Sequence, residues 1–200
     1  MACTLTALIV TATGTSAGAV GAGRRLPPPA RDALARIFDP MLEDLGLRTT
    51  RARLQNLRTY ETDPNGRHLA IYVEPIEETY SDDDYVEQFV EVAQVFLPRV
   101  FDRWKGLKSF DVCQEPRPSE DDRAEPPPRT QLLVTRKGSK SVRWRAATLA
   151  ELLKVALEHQ SSTDAARDFS VYFEAALDAQ PVLADARAEA AATATTTSTT

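Results

Sequence analysis

Apolar residues recur at three- and four-residue spacing through Leu34, Ile37, Phe38, Met41, Leu42 and Leu45, which places them on one face of a helix. Gly46 supplies a stop, and Pro40 within the pattern predicts a kink or a restart with Asp39 as cap. The period then shortens to two. Segments 54–60 and 68–74 flank Asp63-Pro64-Asn65-Gly66, where proline presets φ and glycine tolerates a positive one, so a hairpin is predicted. In its second arm Leu69, Ile71 and Val73 alternate with His68, Ala70 and Tyr72, giving one strongly apolar face.

The longest helix is predicted over 82–104, opened by Ser81 and Asp84 at capping-box spacing. Tyr85, Phe89, Val92, Phe96, Val100 and Trp104 form one side, thickened by Val86, Ala93, Leu97 and Phe101. So broad a stripe implies burial against a sheet. Pro98 should bend this helix and Gly106 should end it. Segment 108–114 alternates Phe110 and Val112 with Asp111 and Cys113, as a strand does. Segment 130–136 reads as another strand, with Lys137-Gly138-Ser139 as a turn and 141–145 as its return. Thr148 and Glu151 open a helix that turns Leu149, Leu152, Leu153, Ala156 and Leu157 inward. Segment 168–173 fits a strand through Phe169, Val171 and Phe173; its helical alternative runs through Phe169, Tyr172, Phe173 and Ala176. The expected class is α+β: a two-layer sandwich whose mainly antiparallel sheet of about four to five strands carries helices on one face.

Two hundred residues suit a single domain, taken here as 24–189. Residues 1–23 contain no charge and run from Leu5, Leu8, Ile9 and Val10 into small residues, which reads as a signal or export segment lacking its basic leader. Cys3 raises lipid attachment as a minor alternative. Residues 115–129 hold five prolines among eight charged residues and read as an extended loop. Residues 190–200 are only Ala, Thr and Ser, and read as a disordered tail. No run of 18 apolar residues follows residue 30, so no transmembrane helix is expected in the mature domain.

Composition narrows the chemistry. Two cysteines and two histidines leave no room for a four-cysteine zinc site or a histidine-based metal centre, and no cofactor is predicted. Cys113 is read as buried and inert, since Asp111 and Glu115 nearby oppose a thiolate. His68 and His159 carry no local catalytic signature. The acidic run Glu74, Glu77, Glu78, Asp82, Asp83, Asp84, Glu87 and Glu91 lacks the alternation and turn glycine of a calcium loop, and suits a helix N-terminus. Gly14, Gly18, Gly21 and Gly23 do not make a dinucleotide loop, because Pro27-Pro28-Pro29 interrupts the helix it requires. Gly14-Thr15-Ser16-Ala17-Gly18 resembles the nucleophile elbow of patatin-like lipases, which pair a serine with an aspartate. That family's glycine-rich upstream loop has no room before Ser16, and its Asp-Gly motif has no counterpart here, so the chain is not assigned to it.

Charge supplies the remaining candidate. The net charge is −5, yet Arg129, Arg136, Lys137, Lys140, Arg143 and Arg145 occur together without an acid, which predicts a strongly dipolar surface. Arg136, Lys137, Lys140, Arg143, Trp144 and Arg145 are the candidate binding residues, for phosphate, an anionic lipid head group, a polysaccharide or an acidic protein, with Trp144 available for stacking. The alternative is a solvated hairpin edge with Trp144 turned into the core. An acidic chain without a nucleic-acid motif predicts no nucleic-acid partner. The reading is an exported or envelope-associated, non-enzymatic binding domain. Its alternatives are a carboxylate-dependent hydrolase, or an intracellular regulatory module that binds an anionic partner through 129–145.

Overall fold

The computed structural model describes residues 31–117, 127–160 and 168–197. Helix α1 (Arg31–Leu42) leads through a 3-10 turn into β1 (Leu47–Gln55) and β2 (His68–Pro75). Helices α2 (Asp82–Glu87) and α3 (Phe89–Arg103) precede β3 (Ser109–Gln114) and β4 (Thr130–Thr135). After two 3-10 segments come α4 (Leu149–Gln160), β5 (Phe169–Phe173) and α5 (Pro181–Thr197). The strands form one sheet in the order β1-β2-β3-β4-β5. Every neighbouring pair is antiparallel except β2 and β3. That parallel pair needs a crossover, and α2 with α3 supplies it.

The expected α+β class, with its mainly antiparallel sheet, is what the chain adopts. Period-two alternation turns Leu69, Ile71, Val73, Phe110, Val112, Leu132, Val134 and Phe169 to one face, where all are buried. Helical aromatics close over them: Phe96 lies 4.6 Å from Phe38 and 5.6 Å from Phe110, and Phe89 lies 4.8 Å from Phe173, between ring centroids. The opposite face presents Arg51, His68, Tyr72, Ser109, Asp111, Cys113, Gln131 and Tyr172.

Several local expectations need correction. Helix α1 neither restarts at Pro40 nor uses Asp39 as a cap; Asp39 Oδ1 instead accepts from the Thr49 amide at 2.9 Å and ties α1 to β1. The stop at Gly46 is present, with φ of +68°. The helix expected over 82–104 is two helices divided at Gln88. The Ser81–Asp84 capping box is formed in full. Pro98 lies inside α3, and the Gln94 carbonyl four residues before it accepts from Arg99 Nη1 in place of the missing amide. Segment 141–145 is not a returning strand; 3-10 segments Gly138–Ser141 and Trp144–Ala146 fill that stretch. The alanine-rich end is helical to Thr197 rather than disordered. Alanine is the strongest helix former, and Leu183, Ala186 and Ala190 recur on one buried face. Residues 1–23, the core of the proline loop at 118–126, and residues 198–200 lie outside the described residues.

Gly138 is fixed by close approach. A Cβ there would stand 2.2 Å from the Asp168 carbonyl oxygen, a backbone atom that cannot swing aside. Gly138→Ala is expected to cost about 1–3 kcal/mol, measured by urea denaturation. A change within experimental error would show that the segment after β4 yields freely.

Candidate functional site

The register sets where charge collects. His68 faces both Gln55 and Ser109, Ser109 faces Thr135, and Val134 faces Phe169. Residues just outside these positions therefore gather at one end of the sheet: Arg67 before β2, Lys108 before β3, Arg136 after β4 and Asp168 before β5. A cavity of about 560 Å³ lies there, lined by Leu57, Arg67, Lys108, Thr135, Arg136, Lys137, Lys140 and Asp168. At the opposite end Arg48 pairs with Glu74, Arg51 with Glu115, Arg117 with Glu78, and Arg129 with both Asp82 and Glu174. Partial burial opposes charge on Arg129, yet its two carboxylate partners hold the guanidinium pKa above the usual arginine value.

The six candidate residues thus separate. Arg136, Lys137 and Lys140 line the cavity; Arg143, Trp144 and Arg145 do not. Trp144 is buried, stacked 6.1 Å from Phe169, with Nε1 donating to the Ser139 carbonyl. It belongs to the core and cannot stack on a ligand. Arg145 lines a different hollow with Gln94, Pro98 and Arg99. Arg136 is already engaged. Nη1 donates to Phe101 O, Nη2 to Trp104 O and Lys105 O, and Nε to Leu107 O, all within 2.9–3.1 Å. The guanidinium closes the C-terminal end of α3, where unpaired carbonyls and the helix dipole both favour a cation. Lys137 Nζ donates to Asp168 Oδ2 at 3.1 Å.

Three cations remain. The side chains of Arg67, Lys108 and Lys140 are exposed and make no hydrogen bond or ion pair among the described residues. The run at 129–145 had pointed to Lys140 alone of these, because strand pairing brings in Arg67 and Lys108 from far away in sequence. A cavity with three uncommitted cations attracts an anion through point charges, and Leu57 adds an apolar wall. Asp168, the one carboxylate among its described lining residues, is poorly suited to acid catalysis. Partial burial opposes ionisation there, but hydrogen bonds from Lys137 and Thr135 prevail and hold the carboxyl below its usual range.

A second polar group sits on the side of the sheet away from the described helices. His68 Nδ1 and Ser109 Oγ are hydrogen-bonded at 2.7 Å, while His68 Nε2 lies 3.9 Å from Asp111 Oδ2 and has no hydrogen-bond partner among the described residues. Gln131 Nε2 donates to Asp111 Oδ2 at 2.5 Å, and Cys113 Sγ donates to Asp111 Oδ1 at 3.5 Å. Burial dominates all three ionisations. It raises the Asp111 carboxyl to about 7 and lowers the His68 imidazole to about 4. It also pushes the Cys113 thiol well up, with Asp111 and Glu115 adding to the shift. The expectation of a buried, unreactive Cys113 agrees with this setting. Asp111 was not distinguishable as a shifted carboxyl from its neighbours in sequence; its position on the central strand produces the shift. None of His68, Ser109, Asp111 and Cys113 exposes more than 5% of its surface.

No helix among the described residues is long and apolar enough to cross a membrane, and no cluster of three or more His, Cys, Asp or Glu among them could hold a metal ion. Compared with protein-family models, curated proteins and solved structures, the chain matches none.

Proposed function

We propose that the chain is a non-enzymatic binding domain that captures an anionic ligand in the cavity at the basic end of its sheet. The observation that carries this reading is the convergence of Arg67, Lys108 and Lys140, uncommitted and exposed, around one hollow. The carboxylate-hydrolase alternative is less well supported, since among the described residues the cavity carries a single carboxylate, already ion-paired. The exported location proposed with it rests on the uncharged segment 1–23, and N-terminal sequencing of the mature chain tests it.

Titration with pyrophosphate, followed by calorimetry, tests the binding reading. The triple variant Arg67→Ala, Lys108→Ala, Lys140→Ala should weaken binding by about tenfold or more, and added salt should weaken the wild type in the same direction. The double variant Arg143→Ala, Arg145→Ala should bind as the wild type does. Equal loss in both variants would mean that net charge, rather than this cavity, attracts the anion.

A further inference from the structure

The loop between β1 and β2 overhangs the basic cavity and makes one wall of it apolar. Leu57 lines that cavity and also a second hollow of about 340 Å³ on its other flank, which includes Arg58, Asp63 and Arg67. It therefore forms a ridge between two concavities, with arginine beside it on both sides. Leu57 and Tyr60 are 39% and 40% exposed, placing two of the large exposed apolar side chains in this one short loop.

The loop is not slack. Tyr60 N donates to Asn56 O, Asn56 N to Glu61 O, and Arg58 N to Asn56 Oδ1, each at 2.8–2.9 Å. Tyr60 adopts φ of +58°, and its ring stands nearly perpendicular to that of His68 with centroids 5.3 Å apart. Two of the nearby acids are engaged: Asp63 Oδ1 accepts from Asn65 N, and Asp168 is held by Lys137 and Thr135; the third, Glu61, is exposed. An exposed leucine in the ordered turn that follows β1, lining the same cavity as uncommitted cations, matches an amphiphile that carries both phosphate and hydrocarbon.

Building on the anion-binding reading, we propose that this end of the molecule docks on anionic phospholipid. The phosphate sits among Arg67, Lys108 and Lys140, and Leu57 enters the acyl boundary beside it. Electrostatic attraction and a single buried apolar side chain are the two contributions that peripheral attachment combines.

Co-sedimentation of the full chain with vesicles tests this, using phosphatidylcholine alone or mixed with phosphatidylglycerol. Calorimetric titrations with glycerol phosphate and pyrophosphate run in parallel. Binding to the mixed vesicles should exceed binding to phosphatidylcholine alone by tenfold or more. Leu57→Ser should lower the vesicle affinity by about tenfold and the pyrophosphate affinity by far less, since the inorganic anion has no hydrocarbon for that wall to meet. Lys108→Ala with Lys140→Ala should lower both. Capture of pyrophosphate without any preference for the mixed vesicles would overturn the lipid assignment and leave the anion-binding reading standing. Binding to neither would overturn both. Vesicle binding indifferent to Leu57→Ser would also overturn the lipid assignment, since the attraction would then be purely ionic.

Discussion

Replacing Asp111 by Asn is expected to stabilise the protein by about 2–4 kcal/mol above pH 7 and to change nothing near pH 4. In the folded chain, burial lifts the Asp111 carboxyl to about 7, against hydrogen bonds from Gln131 and Cys113 that pull the other way. In the unfolded chain the group titrates near its ordinary value. Between about pH 4 and 7 the folded state thus binds more protons, and stability falls as pH rises through that window. Asparagine keeps an acceptor for Gln131 and carries no charge to desolvate. His68 acts in the opposite sense: its imidazole is lowered to about 4, so stability falls as pH drops from about 6.5 toward 4. Across the shared window, folding moves a proton from imidazole to carboxyl, and these two dependences cancel. Removing the carboxyl uncovers the histidine, so the variant should gain stability with rising pH by up to about 1.4 kcal/mol per pH unit. Urea denaturation of both chains at pH 4, 6 and 8 measures the difference, in which unaffected ionisations drop out. A variant no more stable than the parent at pH 8 would show that Asp111 is ionised without cost in the folded chain.

The second large effect concerns Arg136. Arg136→Ala should destabilise the protein by about 2–4 kcal/mol, because four carbonyl acceptors at the end of α3 lose a charged donor together. The side chain also lies over Phe101, with Cζ 4.9 Å from the ring centroid, so apolar contact is lost as well. Arg136→Lys should recover less than half, since an ammonium cannot reproduce the planar fork that reaches several carbonyls at once. Thermal and urea unfolding measure both variants. Full recovery by lysine would reduce the residue to a point charge beside the helix dipole. Ligand binding by the folded fraction should be affected less than in the cavity triple variant, which separates support of the helix from capture of an anion.

The fold was largely legible because period identifies elements. The alternation through Leu69, Ile71 and Val73, and through Phe110 and Val112, marked β2 and β3, and the broad stripe from Tyr85 to Trp104 marked the helices above them. Alternation carries no information on strand direction, so the parallel pairing of β2 with β3 was not visible. Composition misled at the C-terminal end, where the helix preference of alanine and contact with α4 outweigh the lack of large side chains. The site was half legible. Contiguous basic residues suggested one patch, but β4 carries Arg129 to the acidic end and leaves Lys140 at the other. Arg67 and Lys108 look isolated in sequence and become neighbours only through the pairing of His68 with Ser109. Trp144 resembled a stacking residue for want of any signal that Phe169 would cover it. The perturbation of Asp111 depends on burial at the centre of the sheet, which a single chain does not announce.

Strand order in the sheet equals strand order in the chain. A growing polypeptide can therefore extend the sheet vectorially during synthesis, each strand meeting a neighbour that has already emerged, with no later strand having to wedge between two earlier ones. Two steps interrupt this sequence: β3 cannot join β2 until α2 and α3 have been made, and β5 cannot join β4 until α4 has been made, so each earlier strand waits with an open edge. The ribosome thus presents a sheet with an unguarded edge twice, first at β2 and again at β4.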